Sequence, residues 1–108
     1  MKAQKYASFA EFWPDYIRLH TKHATRLIHV AGTGAGVIFV LMAIYFLEPT
    51  LLVMAILVSY GPAWLSHFFI EHNRPASWQN PWWSFRADFK MCLLFWSGKL
   101  DAEVKRSL

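Results

Sequence analysis

The sequence contains few charged residues and only one cysteine. Asp, Glu, Lys and Arg make up 17% of the 108 residues, against about 25% in an average soluble domain. Because Cys92 has no partner in the chain, a fold held together by internal disulfides is excluded. The sequence also lacks the dense basic stripe that nucleic-acid binding favours and the HExxH motif of many zinc hydrolases.

The scarcity of charge leaves two long apolar segments. Residues 28–47 and 51–70 each form an uncharged run of about 20 residues, the length that a helix needs to cross the hydrocarbon core of a bilayer. The short segment 48–50 between them predicts a tight turn. We therefore expect a hairpin of two transmembrane helices.

The positions of the charges predict how this hairpin is oriented. All 11 Lys and Arg residues lie before residue 28 or after residue 70, and the turn carries only Glu48. By the positive-inside rule, both termini are expected in the cytoplasm. The charged residues before residue 28 also interrupt any apolar stretch that would predict a signal peptide.

An amphipathic segment flanks the hairpin on each side. Residues 8–22 place their apolar side chains on one helical stripe, and Ser8 and Glu11 have the spacing of a helix-capping box. Residues 81–97 place apolar side chains on a second stripe, on a helix that Pro81 can begin and Gly98 can end. Such stripes are typical of helices that lie at a membrane surface.

The fold class predicted from these patterns is all-α. We expect one integral membrane domain, residues 1–108, in which a transmembrane helical hairpin is flanked by two interfacial helices. Gly32 and Gly36 predict a close approach between the two spans. Pro62 predicts a kink or break in the second span, and residues 101–108 are expected to form a loose tail.

The hairpin brings the histidines of the sequence to one membrane face. His29 begins the first span and His67 ends the second, while His20, His23 and His72 lie just outside the spans. Ionisable residues in or beside spans are usually functional, and imidazoles from adjacent helices suit iron, zinc or copper. Two interpretations remain open: a metal site shared by His20, His29 and His67, or interfacial histidines without a metal.

Two further residues near His67 are candidates for the chemistry. Glu71 lies four residues after His67, and therefore on the same helix face. Its carboxylate would coordinate the metal, orient a ligand histidine or pair with Arg74. His23 is interpreted as a solvated neighbour, whereas the role of His72 is left open.

The assembled residues resemble the membrane 2-hydroxy fatty acid dioxygenase family, long catalogued as a domain of unknown function. The family pattern has two histidines separated by eight residues, with the second close before a glycine. A hydrophobic hairpin follows, and then a histidine, three residues, a glutamate and an Arg-Pro-Ala segment. The matching segments are HTKHATRLIHVAGT at 20–33, SHFFIEHNRPAS at 66–77 and NPWWSFRADFKMCLLFWSGKL at 80–100.

The resemblance implies an Fe(II)-dependent dioxygenase that uses O₂ to shorten 2-hydroxy fatty acids by one carbon, a reaction called α-oxidation. By matching position, His20, His29 and His67 would be the iron ligands. Glu71 would be a further ligand or a supporting carboxylate. Arg74 or Arg26 would meet the carboxylate of the substrate, although lipid phosphate is an alternative partner for both.

Three other functions stay open at this point. Two histidines could hold a haem for electron transfer, the protein could organise lipids or partner helices without catalysis, or it could be a zinc-dependent hydrolase. The expected partners are the bilayer, a lipid or fatty acid substrate and O₂, with no nucleic acid. A homo-oligomer is also expected, since so short a chain needs help to enclose a site.

Overall fold

The computed structural model describes residues 6–108, and these form helices and helical turns without a strand. This confirms the all-α class. The α-helices of these residues are α1 (Phe9–Arg18), α2 (His23–Tyr45), α3 (Thr50–Ser66), α4 (Pro81–Trp96) and α5 (Leu100–Ser107). A π-helical turn, His67–Glu71, continues α3, and a 3₁₀ turn, Ala76–Trp78, precedes α4.

Two of the helices are long and apolar enough to cross a membrane. They are α2, with 23 residues and a mean hydropathy of 2.2, and the continuous helix Thr50–Glu71, with 22 residues and a mean hydropathy of 1.5. The first begins five residues earlier than the predicted span at 28–47. Its early start is possible because the guanidinium of Arg26 is buried and donates to the carbonyl oxygens of His20 and Thr21 at 2.9 and 2.8 Å.

The two apolar helices pack antiparallel at their glycine positions. The Ser59 hydroxyl of α3 donates to the Gly32 carbonyl of α2 at 3.2 Å. A Cβ atom on Gly32 would lie 3.0 Å from the Val58 carbonyl oxygen, and one on Gly36 would overlap Ser59 Oγ. The predicted close approach at these two glycines is confirmed. Gly34 points elsewhere, with nothing within 4 Å of an added Cβ.

The second apolar helix does not break at Pro62. Helix α3 continues through Pro62 to Ser66, since a membrane helix tolerates the loss of one backbone hydrogen bond when its neighbours compensate. The irregular geometry comes later, in the π-helical turn His67–Glu71. His72 ends this turn in the left-handed region, with φ of 59°, and the chain turns away from the helix there.

The apolar stripe of α1 is covered by protein. Its central side chains are at most 4% exposed and form the core cluster with α4 and α5: Phe12, Trp13, Tyr16 and Ile17. The stripe of α4 remains exposed at Trp82, Leu93 and Trp96. An amphipathic stripe therefore faces protein in α1 but stays available to a membrane in α4, and the interfacial position of both helices stays a prediction.

The expectation of a loose tail at residues 101–108 is wrong. Residues Leu100–Ser107 form α5, because Leu100 and Val104 bury their side chains in the same core cluster as α1. The indole N–H of Trp13 also donates to Glu103 Oε1 at 2.7 Å. The last helix therefore braces α1, which leads directly to His20.

Gly32→Ala should destabilise the packing of α2 on α3. The added methyl group would press on backbone oxygens of α3, which cannot move aside as a side chain can, and overpacking of this kind costs about 1–3 kcal/mol. Thermal unfolding in detergent measures the effect. Gly34→Ala is the matched control, since its methyl group meets open space; equal losses in the two variants would contradict the close approach.

Candidate metal centre

Three buried histidines converge from three parts of the fold. His20 follows α1, His29 lies in α2 and His67 begins the π-helical turn, and they are 1%, 6% and 1% exposed. The Nε2 atom of His20 lies 3.1 Å from Nε2 of His29 and 3.1 Å from Nε2 of His67. One nitrogen of each ring lies within 4.8 Å of the other two, so the group could hold a metal ion.

The outer nitrogen of each ring faces an oxygen atom. These Nδ1 contacts run from His20 to the Tyr16 carbonyl at 2.6 Å, from His29 to the Thr25 carbonyl at 2.9 Å and from His67 to Asn73 Oδ1 at 2.6 Å. An oxygen acceptor at Nδ1 assigns the proton of a neutral imidazole to that nitrogen. Each Nε2 atom therefore presents a lone pair to the other two rings.

The surroundings of His20 keep it uncharged. Burial, and after it the nearby His29 and His67, lower the pKa of His20 well below its usual value. With no proton on these nitrogens, lone pairs about 3 Å apart repel one another unless a cation lies between them. A cation that accepts all of them resolves this repulsion.

The dimensions of the site also fit a metal ion. Histidine nitrogens bind zinc at about 2.0–2.1 Å, which places two ligand nitrogens of one ion roughly 3 Å apart. A cavity that borders the three rings has a volume of about 20 Å³, enough for one atom the size of a water molecule. We conclude that the donors and the space suit a single transition-metal ion.

The comparison with protein families agrees with this arrangement. The profile of the family described as "2-hydroxy-palmitic acid dioxygenase Mpo1-like" matches residues 6–100. The chain belongs to this family. No curated protein and no solved structure matches it significantly. The matched region contains the whole histidine group, and the family description points to an oxygenase of hydroxylated fatty acids.

One residue that orients the histidine group was missed from the sequence. Asn73 accepts the Nδ1 proton of His67 through Oδ1 and donates from Nδ2 to the Leu19 carbonyl at 3.1 Å. Its backbone N–H donates to the His67 carbonyl at 2.9 Å. No regular spacing predicts this contact, because the left-handed bend at His72 turns Asn73 back toward His67.

The structure places the Glu71 carboxylate on the chain that precedes α2. It accepts from the backbone N–H and the hydroxyl of Thr21, at 3.2 and 2.7 Å, and from the backbone N–H of Lys22 at 2.7 Å. Arg74 is not its partner. Glu71 therefore ties the end of the π-helical turn to the segment between His20 and His29, and it lies outside the group of three ring nitrogens.

The remaining sequence candidates lie at the surface. His23 begins α2 and is exposed, as are His72 and Arg74. Within residues 6–108, Arg74 makes no hydrogen bond or ion pair, so its cation is available to a ligand. Arg26, by contrast, is occupied by the backbone around His20.

A group of hydroxyl and carboxyl side chains lines the cavity opposite the histidines. Tyr60, Ser84 and Asp88 all border it, and the Tyr16 hydroxyl donates to Asp88 Oδ1. Burial of the carboxyl group raises the pKa of Asp88 to about 7, against the opposing effect of the Tyr16 hydrogen bond. The Ser84 hydroxyl is buried without a hydrogen-bond partner within residues 6–108, so the cavity offers an unused polar atom to a ligand.

Asn73→Ala should weaken metal binding by about 10- to 100-fold, the usual effect of losing the hydrogen bond behind a ligand histidine. Without Asn73 Oδ1, the ring of His67 can rotate and exchange its tautomer. Competition with a coloured chelator measures the affinity. Asn80→Ala is a suitable control, because the Asn80 side chain forms no cap hydrogen bond; an unchanged affinity in Asn73→Ala would refute this role.

The stability of the metal-free protein should depend on pH through Asp88. Because its pKa is raised in the folded state, the folded protein binds this proton more tightly than the unfolded chain does. The resulting stabilisation is complete below about pH 4 and is lost as the pH rises through about 7. Asp88→Asn should flatten this dependence in thermal unfolding, whereas exposed Asp101→Asn should not. The same slope in wild type and Asp88→Asn would exclude Asp88 as its source.

Proposed function

We propose that this protein is an Fe(II)-dependent membrane dioxygenase that shortens 2-hydroxy fatty acids by one carbon. The observation that carries the proposal is the convergence of the Nε2 atoms of His20, His29 and His67 on an ion-sized cavity. Membership of a family described by a 2-hydroxy-palmitic acid dioxygenase supports the substrate class and the use of O₂.

The charge of the ligand set favours an acidic substrate. Three neutral imidazoles leave the double positive charge of an Fe(II) ion uncompensated, since Glu71 is bound to the backbone of residues 21 and 22. Bound iron would supply open positions for O₂ and for the hydroxyl and carboxylate oxygens of the substrate. A 2-hydroxy acid carries both oxygen donors on adjacent carbons, so that one molecule can present them together.

The protein side chains have distinct tasks in this proposal. Asn73 fixes the ring of His67, and Glu71 fixes the segment that joins His20 to α2. The burial of all three rings excludes bulk water from the nitrogens. Arg74, the exposed cation without a partner, would attract the substrate carboxylate as it arrives from the membrane surface.

The expected membrane arrangement suits this substrate. The outer faces of α2 and α3 expose Ile38, Ile44, Val53 and Leu57 by 57–65%, as helices in contact with lipid do. With His29 near the start of α2 and His67 directly after α3, the proposed metal site would lie at the membrane face that carries both termini. With the termini in the cytoplasm, a fatty acid would present its polar head to the site from that leaflet.

The geometry favours a mononuclear ion over a haem. The cavity that borders the rings, of about 20 Å³, has no room for a porphyrin, and the third histidine would have no role in axial ligation. The earlier alternative of a lipid-organising protein predicts no bound metal at all.

Full-length protein purified in detergent without air should contain close to one iron per chain and consume O₂ with a 2-hydroxy fatty acid. The product should be one carbon shorter. In His67→Ala, iron binding and turnover should each fall by more than the roughly 100-fold that loss of an outer hydrogen bond causes. In the exposed His23→Ala, both should be retained. Elemental analysis measures the iron content, and mass spectrometry measures the shortened product. Retention of metal and turnover by His67→Ala would overturn the proposal.

A further inference from the structure

An apolar groove runs along the membrane-facing half of the molecule between α2, α3 and α4. Its volume is about 390 Å³. The walls include Val37 and Val40 of α2, Ile56 of α3, and Phe85 and Phe89 of α4, whose rings pack with their centroids 5.0 Å apart. The groove is distinct from the small cavity between the histidines.

The groove and the metal-site cavity meet at two polar side chains. Tyr60 and Asp88 line both spaces. The opposite end of the groove is formed by Val40, Leu41 and Leu52, close to the turn between α2 and α3. Since Thr33 and Leu41 both line it, it follows α2 for about 12 Å at 1.5 Å per residue.

This arrangement selects a particular ligand chemistry. A ligand that fills the groove needs one polar end, at Tyr60 and Asp88, and an unbranched apolar tail that reaches Leu52. No Lys, Arg or His lines the groove among residues 6–108, so nothing along it attracts the phosphate of a membrane lipid. An anionic head would instead find its positive partner beyond the polar end, at the histidine-bound metal.

We propose that this groove holds the alkyl chain of the substrate, with its carboxylate and hydroxyl at Tyr60 and Asp88, where the groove borders the metal-site cavity, and that Val40, Leu41 and Leu52 set the longest chain accepted. The inference rests on the proposed function for the identity of the head group. The two walls that α2 and α3 provide are held in register by the glycine contacts between them.

Photo-crosslinking tests where the chain lies. A 2-hydroxy fatty acid with a diazirine at its methyl end would be bound to the full-length protein in lipid nanodiscs, irradiated and mapped by mass spectrometry. Adducts should concentrate on Val40, Leu41 and Leu52, which are 38%, 60% and 45% exposed, over Ile38 and Ile44, which are 59% and 65% exposed on α2 and do not line the groove. Adducts spread equally over the lipid-exposed Ile38 and Ile44 would show that the probe merely dissolves in the bilayer, and would overturn the proposal.

A matched pair of variants tests the limit on chain length. Val40→Trp should fill the far end of the groove and weaken displacement of the photoprobe by long 2-hydroxy fatty acids by about tenfold, the loss expected when roughly two methylene groups are left unburied. Short acids should compete as they do with wild type. Ile38→Trp places the same ring on the exposed face of α2. It should change the displacement of the photoprobe by neither long nor short acids. A uniform loss for all lengths in Val40→Trp would contradict the groove.

These outcomes separate the groove from the proposed function. Crosslinks at the far end without any turnover would keep the alkyl site and overturn the dioxygenase. Turnover by a protein whose crosslinks avoid the groove would keep the dioxygenase and overturn the alkyl site. The crosslinks of wild-type protein show where the alkyl chain lies even if Val40→Trp fails to fold.

Discussion

The structure depends on three uncharged imidazole rings that point their lone pairs at one another. Each ring of His20, His29 and His67 has its outer nitrogen bonded to an oxygen, which leaves the inner nitrogens able to bind one shared cation. Burial of the rings leaves room beside these nitrogens for little more than one small atom or ion. A metal ion bound at these nitrogens would couple metal binding to folding.

Most of the remaining contacts near the site serve to keep these rings in place. Helix α1 supplies the carbonyl oxygen that fixes His20, and α5 braces α1 through the hydrogen bond of Trp13 with Glu103. The π-helical turn and the left-handed bend at His72 bring the side chain of Asn73 back to the ring of His67. Glu71 then closes the arrangement by tying this turn to the backbone that precedes α2. On the far side, Asp88 and Tyr60 line both the cavity at the histidines and the apolar groove, so that in the proposed function one small chain would combine a polar centre with a path for a lipid tail.

The sequence reveals those features that follow from regular spacing. The apolar runs predict the two long helices, the glycines predict where they touch, and hairpin geometry brings His29 and His67 to one end. Asn73 escapes prediction because its contact depends on a left-handed bend. Helix α5 escapes because only Leu100 and Val104 anchor it, against residues that lie far away in the sequence. The stripe of α1 shows a more general limit: an amphipathic pattern states that one face will be covered, but not whether lipid or protein covers it.

The most direct test of the account is the X-ray absorption spectrum of the Fe(II)-loaded, full-length protein in detergent. Imidazole ligands give characteristic scattering from the distant atoms of the ring, and the account predicts a spectrum that requires three imidazoles, with the remaining positions filled by oxygen. His29→Ala should reduce this contribution, whereas the exposed His23→Ala should leave it unchanged. Iron surrounded only by oxygen ligands in the wild type, without imidazole scattering, would contradict the claim that the three histidines form the metal site.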